Sequence, residues 1–150
     1  MAIALQESKA TVRRQAEGGP ARSFWQFERG GIIGVVNHPS TRSAIREVLA
    51  SLCYSIEGFT GDEIVRVVYT AVEHNDTLAF CIGRLLLYTL PSPLPENYSP
   101  DEGWKQYYAA WRPGRPHRDT WDGNFEWAWE LVYLEEAAVS QNKVTQPESR

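Results

Sequence analysis

The sequence predicts an all-α single domain of about six helices, and three observations carry that prediction. Apolar residues recur at three- and four-residue spacing through most of the stretch from 40 to 90. Thr60-Gly61-Asp62-Glu63 and Ser99-Pro100-Asp101-Glu102 both have the composition of helix starts. Proline and glycine clusters at 18–20, 91–95 and 113–114 cut the chain into segments of helical length, with little strand alternation between them. The 150 residues are one domain's worth of chain, and 43% hydrophobic with 23% charged residues suffices for a core.

Residues 2–10 are good helix formers that begin without a cap, so either the first helix is short or further chain precedes it. Thr11 to Arg22 reads as a loop, and Ser23 as the cap of a short helix through Phe27 that Gly30-Gly31 loosens. The run at 32–37 is open between a short strand and a buried helical turn, because so brief an apolar run does not reveal its period. Ser40 is expected to cap a helix with Ile45, Val48, Leu49 and Leu52 on one face. Behind Thr60 come Ile64, Val67, Val68, Ala71 and Val72; from Asn75 to Leu90 come Leu78, Cys81, Ile82, Leu85 and Leu86. These three segments form the predicted hydrophobic centre. A helix from Pro100 holds Trp104, Tyr107, Tyr108 and Trp111 before Pro113-Gly114 stops it. A last helix runs from about Asp119 or Trp121 to Val139, which assigns 1–139 to the domain and 140–150 to a polar C-terminal tail.

A net charge of −4 and a pI near 5.4 argue against a general nucleic-acid binder. Locally, residues 9–29 carry a charge of +3, whereas 119–136 hold six acids and no base. No apolar run reaches the ~20 residues of a membrane span, and the N-terminus lacks the features of a signal peptide. A soluble protein made in the cytoplasm is expected. Cys53 and Cys81 are too few for a disulfide framework and are both expected to be reduced and buried. His38, His74 and His117 show no metal-ligand spacing, and Gly30-Gly31 lacks the context of a phosphate loop, so neither a metal nor a cofactor is expected.

The stretch that could carry chemistry is Leu5-Gln6-Glu7-Ser8 followed by Gly18-Gly19-Pro20-Ala21-Arg22-Ser23-Phe24-Trp25-Gln26. A Glu at the end of an apolar helix, facing a loop that brings back aromatic groups and an amide, has the parts that glycoside cleavage needs. Apolar walls raise its pKa, so that it can stay protonated and donate to the leaving oxygen.

These residues resemble the first half of the goose-type lysozyme and soluble lytic transglycosylase superfamily, whose pattern is Glu-Ser, a loop, then Gly-Leu-Met-Gln. The matching positions are Glu7-Ser8 and Ser23-Phe24-Trp25-Gln26, with Glu and Gln 19 residues apart. The segments QESKATVRRQAEGGPARSFWQFERGG, RLLLYTLPSPLP and WRPGRPH…WDGNF further resemble tailed-bacteriophage proteins with this lysozyme-like fold. The resemblance implies that Glu7 is the catalytic acid, that Ser8 orients it, that Gln26 holds substrate, and that Phe24 and Trp25 shape the cleft. In such an enzyme one Glu protonates the oxygen between N-acetylmuramic acid and N-acetylglucosamine. It then acts as base while the sugar's own 6-hydroxyl closes a 1,6-anhydro ring, so no second carboxylate is required. Glu17 and Glu28 are the nearby acids that a hydrolytic version would use, and neither is expected to serve. Ser23-Phe24 replaces the family's Gly-Leu, and the later Tyr-Asn-Ala-Gly segment has only Tyr107-Tyr108 and Gly123-Asn124-Phe125 as near counterparts, with Asn124 supplying the amide.

Most of the aromatic residues between 104 and 129 are expected in the core, with Trp111 and Trp121 as exposed exceptions that stack on sugar rings. Arg112, Arg115, His117 and Arg118 read as a solvated turn in preference to a site for peptide carboxylates. The expected function is thus a phage peptidoglycan-degrading lytic transglycosylase, virion-associated and delivered to the bacterial periplasm. Its partners are the glycan strand and other virion proteins or further copies of itself. The alternative, motivated by the abrupt start and the altered later motif, is a structural virion protein (connector, tail or ejection-associated) with little or no activity.

Overall fold

The computed structural model describes residues 1–95 and 98–144, with side chains through Val132. Seven α-helices and no strand occur among the described residues: α1 Ala2–Ser8, α2 Arg29–Asn37, α3 Arg42–Ser51, α4 Gly61–Ala71, α5 Asp76–Tyr88, α6 Pro100–Trp111 and α7 Arg118–Val144. The chain is an all-α single domain.

Local chemistry sets the central helices. Glu63 Oε2 accepts from the Thr60 backbone N–H at 2.8 Å while Thr60 Oγ1 accepts from Glu63 N–H at 3.4 Å, a reciprocal cap that starts α4. Asn75 Oδ1 accepts from Leu78 N–H at 2.9 Å and starts α5. Behind these caps Ile64, Val65, Val68 and Val72 meet Leu78, Ala79, Ile82 and Leu86 in one core with Ile45 and Leu49 of α3. The ambiguous run at 32–37 belongs to α2, whose Ile32, Val35 and Val36 are buried where α2 packs on α3, α4 and α5. Packing on three helices overrides the three glycines that α2 carries.

Several expectations are corrected. Thr41, not Ser40, occupies the N-cap of α3, and its hydroxyl donates to Val35 O at 2.6 Å, tying α3 to α2. Ser23 to Phe27 is a closed loop, not a helix: Arg22 and Phe27 exchange backbone hydrogen bonds of 2.9 and 2.7 Å, and Ser23 and Gln26 take left-handed φ of 64° and 50°. Burial of Trp25 and Phe27 in the core holds that loop shut. Cys53 is exposed and Cys81 half-buried, both free. Cys53 sits just past α3 at φ 62°, donating to Ala50 O while Tyr54 N–H reaches Leu49 O, a helix-ending turn that points its side chain outward.

The last two helices build the wall behind the site. Gly103 lets α6 and α7 approach closely, since a Cβ there would stand 2.5 Å from the Phe125 ring. α7, at about 1.5 Å per residue, extends roughly 40 Å. α1 lies along α7. The helix continues past the expected end at Val139, and residues 145–150 of the expected tail lie outside the described residues. No helix among the described residues is long and apolar enough to cross a membrane.

Candidate active site

Glu7 lies in the last turn of α1, half-buried, and opens onto a cleft of about 870 Å³. Two side chains next to it hold that turn in place. Ser8 is buried and donates to Phe24 O at 2.7 Å, with Ala4 O also in reach at 3.2 Å, so it ties the end of α1 to the 23–27 loop and makes no bond to Glu7. Gln6 donates to His117 O at 2.8 Å and Thr120 Oγ1 at 3.1 Å and accepts from Asn124 Nδ2 at 2.8 Å. A seven-residue helix is marginal alone; these bonds and its packing on α7 anchor it.

Tyr107 completes the Glu7 environment from α6. Its hydroxyl donates to Glu7 Oε1 at 2.6 Å, and its ring is stacked on Trp121 with centroids 5.1 Å apart and planes 14° apart. Burial pushes the Glu7 carboxyl above the usual carboxylate range; the Tyr107 hydrogen bond opposes that rise and the charge of Glu28 adds to it. Tyr107, 3% exposed, has its hydroxyl raised far above the ordinary phenol value by burial and by the Glu7 carboxylate, so it remains a donor.

The cleft brings together Glu7, Gln26 and Trp111 from the predicted set, with Glu28, Tyr107 and the turn bearing Arg112, Arg115 and His117. One wall is the glycine face of α2, where a Cβ on Gly30 or Gly34 would meet nothing within 4 Å. Gln26 spends its amide N–H on Ser23 O at 2.7 Å and Val12 O at 3.3 Å, holding the loop. Trp111 is half-buried against Phe27 and donates from Nε1 to Trp25 O at 2.9 Å. Arg118 pairs with Asp101 and Asp122, whereas Arg112 and Arg115 are exposed and have no ion-pair partner among the described residues.

The other predicted residues do not line the cleft. Trp121 is 1% exposed, stacked behind Tyr107 with its indole N–H on Pro100 O at 2.7 Å; burial between α6 and α7 removes it as a sugar platform. Trp25 is 8% exposed, with its ring edge-on to Phe80 and its carbonyl serving Trp111. Phe24 lies under the Arg13 guanidinium at 4.1 Å, and Asn124 is committed to Gln6. Tyr107 and Gln6 are the groups that spacing alone does not single out. No cluster of three or more metal-ligating side chains occurs among the described residues. Comparison with family models, with curated proteins and with solved structures finds no match for this chain.

Proposed function

We propose that the chain is a peptidoglycan-cleaving lytic transglycosylase of a tailed bacteriophage, with Glu7 as the single acid and base. The observation that carries this reading is the Glu7–Tyr107 pair: a half-buried carboxyl with a raised pKa, held by a phenol at 2.6 Å at the edge of a cleft. The cleft volume of about 870 Å³ is of the size that takes several sugar rings. Because Oε1 accepts from Tyr107, the acidic proton is carried on Oε2, the oxygen free to meet the leaving group. As that proton moves to the glycosidic oxygen and the bond to the muramyl C1 breaks, the Tyr107 hydrogen bond strengthens on the new carboxylate. Glu7 then takes the proton of the muramyl 6-hydroxyl as that oxygen closes on C1. The Trp111 edge and the glycine wall of α2 supply an apolar rest for sugar faces. Such a protein travels with the virion and works on the wall from the periplasmic side.

The test is to incubate the protein and Glu7→Gln with purified sacculi and identify the released muropeptides by mass. Products ending in 1,6-anhydromuramic acid, made by the wild type alone, are expected; equal release by the variant removes Glu7 from the mechanism. A structural virion role is the second reading, favoured by two exposed apolar side chains on α7. Trp127 and Val132 are each 52% exposed there, and Val132 lines an apolar groove of about 500 Å³. A correctly folded wild type that releases no glycan, yet is present in intact virions, favours that role.

A further inference from the structure

We propose that the outer face of α5, carrying Phe80, Arg84 and Tyr88, is a second glycan-binding surface outside the Glu7 cleft. It holds an uncut stretch of the peptidoglycan strand while the adjoining stretch lies in the cleft. The inference rests on the glycan-cleaving reading of Glu7, from which it takes the class of its ligand. Leu78, Ala79, Ile82 and Leu86 turn one side of α5 into the core, and the opposite side presents Phe80, Arg84 and Tyr88 at four-residue intervals. Tyr88 at 61% and Phe80 at 55% are the two most exposed large apolar side chains among the described residues, and both sit on this one helix face. Neither lines the cleft.

The spacing suits a glycan. Four residues of helix advance about 6 Å, so the two aromatic residues stand about 12 Å apart along α5 with Arg84 between them. That is close to the span of one disaccharide repeat, so both rings meet the same kind of sugar. A flat aromatic ring offers an apolar face to the C–H face of a pyranose, and Tyr88 adds a hydroxyl at its rim. Arg84 is exposed and has no hydrogen-bond or ion-pair partner among the described residues. Its guanidinium complements the carboxylates that the muramyl side chains carry along such a strand. Asp76, the one acid of α5, is held by Arg13, so no free carboxylate on this helix opposes an anionic strand.

The face also leads to the cleft. Leu86, Thr89 and Leu90, on either side of Tyr88 in the chain, line the cleft, so α5 runs from Phe80 toward it. Behind the exposed residues, Gly83 makes room for Trp25 and Trp111, which a Cβ there would meet at 3.6 and 3.7 Å. Trp25 stands edge-on to Phe80 at 6.4 Å between centroids, and Trp111 borders the cleft, so Phe80 is braced from the side that faces the site. The size of the face argues against a protein partner. Two half-exposed aromatic rings and one guanidinium offer roughly 300 Å², against about 800 Å² per partner in a stable protein interface. A single polysaccharide strand needs only a narrow strip.

The experiment measures binding and cutting separately. Binding is read by co-sedimentation with insoluble purified sacculi, using Glu7→Gln so that nothing is cut, alone and combined with Phe80→Ser/Tyr88→Ser or with Arg84→Glu. Cutting is read with the same face substitutions in the otherwise wild-type chain, on sacculi and on a short soluble glycan of two disaccharides. The replaced side chains are exposed, and unfolding curves check that each variant folds. Sacculus binding is expected to fall at least tenfold and KM for sacculi to rise as much, with kcat and turnover of the short glycan unchanged. Unchanged sacculus binding, or an equal loss of turnover on both substrates, overturns the role of the face and leaves Glu7 standing. So does a wild-type dimer in sedimentation velocity that Phe80→Ser/Tyr88→Ser makes monomeric, which gives the face to a second copy. Full turnover by Glu7→Gln, or a folded wild type that cuts neither substrate, overturns the reading of the cleft, and the role of the face falls with it.

Discussion

Replacing Tyr107 with Phe removes one hydroxyl and leaves the stacked ring on Trp121, so it isolates the 2.6 Å hydrogen bond to Glu7 Oε1. A hydrogen bond to a charged group contributes roughly 1.5–3 kcal/mol. Glu7 is half-buried and open to the cleft, which points to the lower end, about 1.5 kcal/mol, or roughly a tenfold change in rate. The bond favours the carboxylate, so its loss raises the Glu7 pKa further above its ordinary value. Two effects with distinct signatures follow. The rate at the optimum falls about tenfold, because the carboxylate formed in the transition state loses its donor. The alkaline limb of the pH profile, where Glu7 loses the proton it must donate, moves to higher pH. The assay is the initial rate of sacculus solubilisation across pH for wild type and Tyr107→Phe, with matching unfolding curves as a control. An alkaline limb that stays in place or moves to lower pH would refute the assignment of Glu7 as the titrating acid.

Three further outcomes are expected. Glu7→Gln should be more stable than the wild type at neutral pH but not in acid. The raised native pKa means that the native state holds its proton after the unfolded chain has lost it, so the wild type loses stability as pH climbs from the ordinary carboxylate value through the raised one. Equal stability gains in acid and at neutral pH, in denaturant titrations, would contradict this. Gly34→Ala should stabilise the fold by about 0.5–1 kcal/mol through helix propensity, because its Cβ meets nothing within 4 Å, whereas Gly34→Trp should fold yet block the cleft and abolish solubilisation. Gly103→Ala should destabilise by about 1–3 kcal/mol despite the same propensity gain, since its Cβ would meet the Phe125 ring at 2.5 Å; an unchanged thermal midpoint would show that α6 and α7 yield freely.

The sequence by itself determined the helices whose signals are local. Thr60-Glu63 caps as its spacing predicts, and Ile64, Val68, Val72, Leu78, Ile82 and Leu86 of the predicted stripes are buried while Val67, Ala71, Cys81 and Leu85 are half-buried at their edges, because a cap and a 3.6-residue period involve only neighbouring residues. Glu7 was legible as a candidate acid from its place at a helix end, and Gln26 and Trp111 do share its cleft. The rest was decided by contacts between distant segments. Tyr107 lies 100 residues from Glu7 and Asn124 lies 118 from Gln6, separations over which no spacing rule operates. Trp111 and Trp121 look alike in sequence, yet one borders the cleft and the other is sealed between α6 and α7, because an aromatic-rich helix does not declare which face its neighbours will cover. The raised pKa of Glu7 is likewise tertiary, since desolvation depends on what surrounds a carboxyl and not on what precedes it in the chain.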